Sequence, residues 1–389
     1  MSEKRFQPIT SPTPDNTLSV YIHVPFCARK CRYCSFYSIP YNPDAADAWS
    51  RAVLRELDLY TLQPPIQTLY VGGGSPSVLS VSQMDFLLRR LLEQTGRPTE
   101  EFTVEINPAQ TDAAIFTVLK TYGVNRLSIG AQSFHPEELS FLGRLHQPED
   151  IFNTVKTARQ CGFENIGLDL IFAVPGSSLK SWKQSVRKAI ALDISHLSAY
   201  SLTYESDTPL FEALQDEKII PVDEDTDRQM YEAAIDILES AGLEPYEISN
   251  FARPGFACRH NLRYWDNRPW LGLGPSAASW FRGQRTRNTA DLERYIESIR
   301  KNQWAFDEVQ VPSALEIACE TAVLNLRKSA GINRQQFISQ TGFDPMELFA
   351  EPIRHYTALG LLEYTAECVR LTRPAWAVAD SILCDFSDI

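Results

Sequence analysis

Three cysteines lie within eight residues near the start of the chain, and their spacing is the feature that points most directly to chemistry. Cys27, Cys31 and Cys34 form the pattern C-x3-C-x2-C. Thiolates are the usual ligands of iron-sulfur clusters, and a 4Fe-4S cubane normally takes one thiolate on each of its four irons. Because only three cysteines are local, the sequence predicts a 4Fe-4S cluster whose fourth iron is open to another ligand.

A zinc site and disulfide bonds are the alternatives for these cysteines. A structural zinc site would need a second pair of cysteines or histidines at a matching distance, and disulfides belong to secreted proteins with paired spacings. The sequence has neither pattern. The other five cysteines lie far apart in segments that we interpret as helix or strand, where cysteine is usually a small buried hydrophobe: Cys161, Cys258, Cys319, Cys368 and Cys384.

The composition indicates a globular protein with a large core. The chain has 389 residues, of which 44% are hydrophobic and 22% are charged, which suits a barrel-sized domain with a small appendage. The net charge of -12 argues against non-specific nucleic-acid binding and a polybasic membrane anchor. No apolar run approaches the roughly 20 residues of a membrane span, and unpaired thiols fit a reducing compartment. We therefore expect a cytoplasmic protein.

An alternation of strand-like and helix-like segments must position the cysteines. Such alternation predicts parallel strands joined by right-handed crossovers, hence an α/β sheet or a barrel. The predicted strands are 18–24, 67–71, 101–106, 125–130, 165–171 and 196–202. The predicted helices between them are 45–62, 82–94, 111–121, 148–160 and 178–192.

Polar or glycine residues come at the ends of five successive predicted strands. The cysteine loop follows the first strand and the run GGGSPS (72–77) follows the second, while Glu105, Gln132 and Asp169 lie at the ends of the next three. The carboxyl ends of parallel strands meet at one edge, so these residues predict a single site there. Glycines allow a ligand to approach the backbone, although a tight strand-to-helix turn would use them equally well.

Beyond residue 203 the pattern loosens, with a helix near 223–240 and a segment rich in His, Asn, Trp and Pro at 258–280. From about residue 312, three helices and a short hairpin suggest a small winged-helix-like α+β domain. Such domains often bind DNA, but the net acidity favours a packing or partner role. We expect four regions, which are a flexible lead (1–17), the α/β core (18–210), its extension (211–305) and the C-terminal domain (306–389).

These motifs resemble the radical SAM superfamily, and within it the family of the oxygen-independent coproporphyrinogen III oxidase and the HemW heme chaperones. The resemblance implies a partial (β/α)6 barrel in which the open iron of the cluster chelates S-adenosylmethionine (SAM). It runs from about residue 18 to the end of the chain. Its markers are YIHVPFC (21–27), GGGSPS (72–77), VEINP (104–108), GAQSF (130–134), GRLH (143–146), LDLIFAVPG (168–176) and GLGPSAAS (272–279).

The resemblance also assigns SAM contacts. Tyr21, Gly73 and Glu105 match residues that contact the cluster-bound SAM, and Ala278 matches a further contact that depends on the alignment of a loop. At position 75 threonine is commoner in the family, and Ser75 keeps the hydroxyl group. Whether a second SAM binds stays open; the positions that match its lining in the oxidase are Tyr33, Gly74, Ser75, Gln132, Arg144 and Asp169.

Two features separate the oxidase from the heme chaperones. The oxidase has a further cysteine two residues after the third cluster ligand, where this chain has Phe36, and it has a longer N-terminal segment than the 17 residues that precede the first predicted strand here. Conversely, HNLRYW (260–265) resembles the HNxxYW motif of heme chaperones. In that match His260 is the candidate ligand of heme iron, and the rings flank the macrocycle; the other motif residues are Asn261, Tyr264 and Trp265. By itself, a loop histidine beside aromatics is more often hydrogen-bonded within the protein.

The resemblance therefore implies a heme chaperone that binds a 4Fe-4S cluster, SAM and heme, and transfers heme to acceptor hemoproteins such as respiratory enzymes. It implies a radical SAM scaffold without coproporphyrinogen oxidase activity. The alternative is a radical SAM enzyme that decarboxylates coproporphyrinogen III or modifies heme. A DNA-binding regulator is disfavoured by charge, and we expect no nucleic-acid partner. Homodimerisation and a transiently membrane-associated acceptor stay open.

Overall fold

A computed structural model describes residues 18–60, 62, 66–108 and 112–387. The flexible lead expected at 1–17 lies outside the described residues. Within these ranges, no helix is both long and apolar enough to cross a membrane.

The first half of the protein alternates strands and helices, as the sequence predicts. Its long strands are buried along nearly their whole length, as expected for parallel strands covered on both faces; β1 has the burial of a fully interior strand except at Tyr21. The elements are β1 (Leu18–Val24), β2 (Phe26–Cys27), β3 (Ile39–Pro40), α1 (Pro43–Leu59), β4 (Ile66–Gly73), α2 (Val81–Thr95), β5 (Glu101–Ile106), α3 (Ala113–Thr121), β6 (Arg126–Gln132), α4 (Pro136–Leu142), α5 (Pro148–Gln160), β7 (Asn165–Phe172), α6 (Leu179–Ala191) and β8 (His196–Ser201).

The helices of this half begin where capping residues end the preceding loops. Ser80 caps α2 in a capping box with Gln83, and Ser178 does the same for α6 with Ser181. Each box satisfies backbone N–H groups that have no partner inside the helix. The short α4, which has Pro136 in its first turn, follows β6 directly and was missed by the sequence interpretation.

The middle of the chain extends the sheet with short strands. Its elements are α7 (Pro209–Gln215), α8 (Glu224–Ser240), β9 (Glu244–Glu247), β10 (Asn250–Ala252), α9 (Arg259–Trp265), β11 (Trp270–Leu273), β12 (Ala278–Phe281), β13 (Gln284–Asn288), α10 (Leu292–Arg300) and β14 (Phe306–Gln310).

Twelve strands of the described chain form one sheet in the order β14-β13-β12-β11-β1-β4-β5-β6-β7-β8-β10-β9. The six predicted strands are neighbours and pair in parallel from β1 to β8, so the predicted (β/α)6 arrangement is confirmed. The sheet ends in β9 at one edge and β14 at the other, and the barrel is therefore open. The sequence did not predict that β11 pairs in parallel with β1 or that β10 and β9 extend the other edge.

The last part of the chain has its own apolar core, built around Phe337, Phe349 and Phe386. Its strands form an antiparallel sheet in the order β15-β17-β16, and its helices pack against that sheet, as the winged-helix-like interpretation expects. The elements are α11 (Ala314–Leu326), β15 (Ile332–Asn333), α12 (Arg334–Thr341), α13 (Pro345–Leu348), α14 (Ala350–Ala358), β16 (Leu362–Tyr364), β17 (Cys368–Leu371) and α15 (Ala379–Cys384).

The boundary expected at residue 306 needs a correction. Strand β14 starts at Phe306 and pairs antiparallel with β13, so it continues the main sheet. The second core starts with α11. The sequence of β14, FDEVQ, is too short to indicate which sheet it joins, which is why the sequence misplaces this boundary.

Candidate functional site

A cavity of about 530 Å³ opens at the carboxyl ends of the parallel strands, where the sequence predicts a single site. Residues from each of the five predicted strand ends line it, together with Phe36 of the cysteine loop. The structure therefore brings most of the predicted site residues together. Those that line the cavity are Cys27, Cys31, Cys34, Tyr33, Gly73, Gly74, Ser75, Glu105, Gln132, Arg144, Asp169 and Asn261.

The three cysteines of the loop are unpaired and partly buried. Burial, together with the charges of Cys31 and Cys27, raises the pKa of the Cys34 thiol to about 11, against the lowering effect of a Phe36 backbone hydrogen bond. Burial also raises the pKa of Cys27. Three thiolates side by side therefore need a cationic ligand to stabilise them.

The three thiols of the loop can be compared with the needs of a single metal ion and of a cluster. Among the described residues, no group of three His, Cys, Asp or Glu side chains could hold one metal ion. A cubane cluster presents a separate iron to each thiolate, so its ligands need not converge on one point. Three thiols on one short loop are the donors that a 4Fe-4S cluster takes, so the residues present fit such a cluster; its ligation by Cys27, Cys31 and Cys34 stays a prediction.

The cysteine loop is tied to its surroundings by hydrogen bonds. Arg29 donates through Nη2 to the Gly143 carbonyl at 2.7 Å, and the Arg32 backbone N–H donates to the Leu142 carbonyl at 3.1 Å. Arg144, in the loop after α4, donates through Nη1 to Cys31 Sγ at 3.6 Å. Its positive charge lies where thiolate charge would develop, which favours the ligating form of the cysteines.

The packing of neighbouring residues requires glycine in the turn at the end of β4. Gly74 donates to the Val24 carbonyl at 2.8 Å, and a Cβ on Gly74 would lie 2.6 Å from the Phe26 oxygen. Gly73 has φ +110°, and a Cβ there would lie 2.6 Å from His23 Nδ1. The turn can therefore lie against the cysteine loop only with glycine at these positions. The tight turn therefore accounts for these glycines, and the contact of Gly73 and Gly74 with SAM stays a prediction.

Glu105 is a half-buried carboxylate that contacts this turn. It accepts hydrogen bonds from the Tyr70 hydroxyl at 2.9 Å and from the Gly73 N–H at 3.0 Å. Burial raises the pKa of Glu105 to about 7, and the charge of Asp169 adds to the rise. Asp169 is also half-buried and accepts from the Ser198 hydroxyl at 2.7 Å. These two carboxyl groups can offset the positive sulfonium and ammonium groups of SAM, and Arg126 and Arg144 are the opposite charges in the same cavity.

Comparison with known proteins gives the family. Residues 21–189 match the Radical SAM superfamily, and residues 313–378 match the HemN C-terminal domain. The chain is 34% identical to the heme chaperone HemW of Bacillus subtilis over 360 residues, which are 91% of this chain and 95% of that protein. The chain belongs to the HemW family. It is also 32% identical to HemW of Lactococcus lactis, over 94% of this chain and 96% of that one.

Comparison with solved structures identifies a protein of similar fold. Coproporphyrinogen III oxidase (HemN) from Escherichia coli, a radical SAM enzyme, superposes with a TM-score of 0.84 over 97% of this chain and 91% of that chain, at 22% identity. At this identity the likeness establishes the shared fold and no more. As members of the radical SAM superfamily, HemW proteins have a 4Fe-4S cluster and SAM as their cofactors, so both cofactor predictions are confirmed.

Arg126 is a lumen residue of this HemW-family chain that the sequence interpretation missed. It is 1% exposed and lines the cavity, and its Nε and Nη1 atoms have no hydrogen-bond partner among the described residues. Its charge lowers the pKa values of Glu105 and Asp169, against the larger effect of burial. The signal was available, because Arg126 lies an even number of residues before Gln132 in β6 and so points to the same face.

Two of the predicted SAM contacts lie away from the cavity lining. The Tyr21 hydroxyl is 3.2 Å from His23 Nδ1, and its ring packs beside Tyr70 with a centroid separation of 5.9 Å. Ala278 is exposed at the start of β12, and its carbonyl accepts from the indole of Trp270 at 3.1 Å. Their contact with SAM stays a prediction.

His260, the predicted heme ligand, is not in a loop. It lies in α9 and is 1% exposed, and both of its ring nitrogens are hydrogen-bonded. The Thr68 hydroxyl donates to Ser19 at 2.8 Å, so its oxygen accepts from His260 Nδ1–H at 2.7 Å. This leaves Nε2 as the acceptor of the Tyr264 hydroxyl at 2.8 Å. Burial, with the Arg126 charge, lowers the pKa of His260 to about 3, so the imidazole is neutral.

Trp265, and Cys258 just before the motif, also contact other residues of the protein. Trp265 lies under Arg327, whose guanidinium carbon is 5.4 Å from the ring centroid. Cys258 is fully buried, and its thiol donates to Glu101 at 3.3 Å. Glu101 also accepts from the N–H groups of Arg259 and His260 at the start of α9, as an N-terminal cap does. Heme ligation by His260 stays a prediction, and it requires the Tyr264 hydroxyl to leave Nε2.

Proposed function

We propose that this chain is a cytoplasmic heme chaperone, which binds heme and passes it to acceptor hemoproteins, respiratory enzymes among them. The observation that carries the proposal is its similarity to proteins named heme chaperone HemW over 95% of the length of the Bacillus subtilis relative. A single cavity with three loop cysteines and two half-buried carboxylates supports the accompanying cluster and SAM.

In this proposal Cys27, Cys31 and Cys34 hold the 4Fe-4S cluster. When bound, the cluster supplies an open iron for SAM and an electron for its reductive cleavage. Glu105 and Asp169 offset the positive charge of SAM, and Gly73, which lines the same cavity, contacts it through the backbone. The other proposed SAM contacts are Tyr21, Tyr33, Gly74, Ser75, Gln132, Arg144 and Ala278.

Phe36 supports binding over catalysis. Where the coproporphyrinogen oxidase has an additional cysteine, this chain presents a phenyl ring that is 66% exposed at the rim of the cavity. A phenyl ring has no ionisable group, so it can neither ligate iron nor exchange a proton. The same position can offer apolar contact area to a tetrapyrrole.

The test follows the fate of the tetrapyrrole. Anaerobically reconstituted protein, reduced and loaded with SAM, is incubated with hemin and separately with coproporphyrinogen III, and the products are analysed by chromatography and mass spectrometry. We expect stoichiometric binding of hemin, recovery of unmodified heme, and its transfer to a heme-free acceptor hemoprotein. Multiple turnovers of either tetrapyrrole into a modified product would overturn the proposal in favour of a radical SAM enzyme.

A further inference from the structure

The helix α9 is held at its two ends by different parts of the protein. It has only seven residues, and a helix this short is not stable in water without tertiary contacts. At its start, Glu101 of β5 accepts hydrogen bonds from the N–H groups of Arg259 at 2.8 Å and His260 at 3.2 Å. The main sheet therefore fixes the first turn of α9.

The other end of α9 is closed by a Schellman motif. The Arg268 N–H donates to the Arg263 carbonyl at 2.9 Å. The Asn267 N–H donates to the Tyr264 carbonyl, also at 2.9 Å, and Asn267 has the positive φ of this motif, +48°. The carbonyls of residues 265–267 follow the last N–H groups of the helix, so their partners must come from another segment.

The C-terminal domain supplies these partners. Asn325 of α11 donates through Nδ2 to the Trp265 carbonyl at 2.9 Å. Gln340 of α12 donates through Nε2 to the carbonyls of Asp266 at 3.0 Å and Asn267 at 3.1 Å. Both donors lie on helices of the domain that has its own apolar core. The end of α9 is therefore completed by a different unit from the one that fixes its start.

Side-chain contacts strengthen the same junction. Lys328, which follows α11, pairs with the Asp266 carboxylate, and its side chain is 11% exposed, so salt screens this ion pair only weakly. Asn267 donates through Nδ2 to the Thr321 hydroxyl at 2.9 Å, while the main sheet contributes Arg285, which donates to Asn267 Oδ1 at 2.8 Å. Most polar contacts at this end of α9 thus come from the C-terminal domain.

Tyr264 lies in the half of α9 that these contacts hold. Its hydroxyl covers Nε2 of His260 at 2.8 Å, so that lone pair is free only when the hydroxyl moves away. The Tyr264 ring packs against His260 and Trp270, with centroid separations of 4.9 and 4.8 Å, and it cannot swing out while the last turn of the helix stays in place. Exposure of Nε2 is therefore coupled to release of the end of α9.

We propose that the C-terminal domain is a latch on α9 that keeps the Tyr264 hydroxyl on His260. The positioning residues of this latch are Asn325, Lys328 and Gln340, and their release exposes Nε2 of the imidazole. Such local opening requires less free energy than global unfolding. The end of α9 is the one that opens, because Lys328 and Gln340 are half-buried, whereas the acid that caps its start is 3% exposed. The inference goes beyond the proposed function, since it concerns access to a nitrogen whichever ligand takes it.

The experiment measures how fast diethyl pyrocarbonate modifies His260 in the full-length protein. This reagent acylates the free lone pair of a neutral imidazole, so the rate at His260 reports the fraction of molecules in which Nε2 is exposed. Mass spectrometry of the peptides gives this rate together with that of His355, an exposed histidine of α14 that serves as the internal reference.

The variants separate release of the latch from general damage to the C-terminal domain. The latch is weakened in Gln340→Met and further in Lys328→Met/Gln340→Met, while Lys328→Arg keeps the charge that pairs with the acid of α9. The matched control, Arg334→Met, removes an ion pair with Asp344 inside the C-terminal domain and leaves the contacts to α9 in place. Chemical denaturation gives the global stability of each protein.

We expect His260 of the double variant to react about tenfold faster than in the wild type, which corresponds to about 1.4 kcal/mol in the opening equilibrium, with the rate at His355 unchanged. Gln340→Met should show a smaller rise, and Lys328→Arg and Arg334→Met should react like the wild type. An unchanged rate at His260 in the double variant, or an equal rise in Arg334→Met, would overturn the inference. Where the double variant is globally unstable, equal rates in Gln340→Met and Arg334→Met would overturn it. None of these outcomes depends on heme binding, so the proposed function is tested separately.

Discussion

The hydroxyl of Tyr264 controls whether His260 can ligate heme iron. Its oxygen lies 2.8 Å from Nε2, the nitrogen that has the free lone pair because Nδ1–H donates to Thr68. Iron can reach this lone pair only after the hydroxyl has left. Tyr264→Phe removes the hydroxyl and keeps the ring, so it isolates the competition between the hydrogen bond and the iron.

The size of the effect follows from the hydrogen bond that is removed. A neutral intramolecular hydrogen bond contributes about 1 kcal/mol net, and about 1.4 kcal/mol corresponds to tenfold in Kd. Tyr264→Phe should therefore tighten heme binding about fivefold. Leaving Nε2 buried without a partner should also lower the free energy of unfolding of the heme-free protein by about 1 to 3 kcal/mol.

The assay is a Soret titration of wild type, Tyr264→Phe, Thr68→Val and His260→Ala, together with chemical denaturation of each heme-free protein. Thr68→Val is the matched control, because it removes the other hydrogen bond to the same ring and leaves Nε2 covered. Its heme affinity should not rise. Wild-type affinity and an unchanged Soret spectrum in both Tyr264→Phe and His260→Ala would refute ligation by His260.

Three further predictions concern the cluster, SAM and stability. Cys34→Ser should abolish the cluster absorbance after anaerobic reconstitution, whereas Cys384→Ser, at an exposed position of α15, should retain it; an intact cluster in Cys34→Ser would contradict the ligand assignment. The affinity for SAM should rise as the pH increases through about 7, because Glu105, whose pKa is raised to about 7, then becomes a carboxylate. Calorimetry of Glu105→Gln should show weaker SAM binding without this pH dependence. Burial likewise raises the pKa of Glu56 from 4.5 to about 7, so its contribution to stability is complete below about pH 4.5 and is lost as the pH rises through 7. The loss in the free energy of unfolding should reach about 3 kcal/mol. Denaturation of Glu56→Gln between pH 4.5 and 8 should show a weaker dependence of that free energy on pH than the wild type, and equal dependence in both proteins would contradict the prediction.

The alternation of strands and helices was predictable because each element is encoded within its own residues. Strand β5, EFTVEI, was predicted with the bounds that it has, since a buried parallel strand is a short apolar run between polar turns. Strands β10 and β11 were not predicted. They have three and four residues, and β11 pairs with β1 about 250 residues away, a contact that leaves no local pattern.

The sequence by itself determined the chemistry of the site. Three cysteines at fixed spacing and polar residues at five strand ends identify a cluster loop and a common edge, because ligand spacing and strand order are properties of the chain. The tertiary structure alone decided which side chains are accessible. Nδ1 of His260 is hydrogen-bonded to Thr68, 192 positions away, and Arg126 lines the cavity although it is only 1% exposed. Burial depends on distant segments that pack together, and no local pattern records which segments those are.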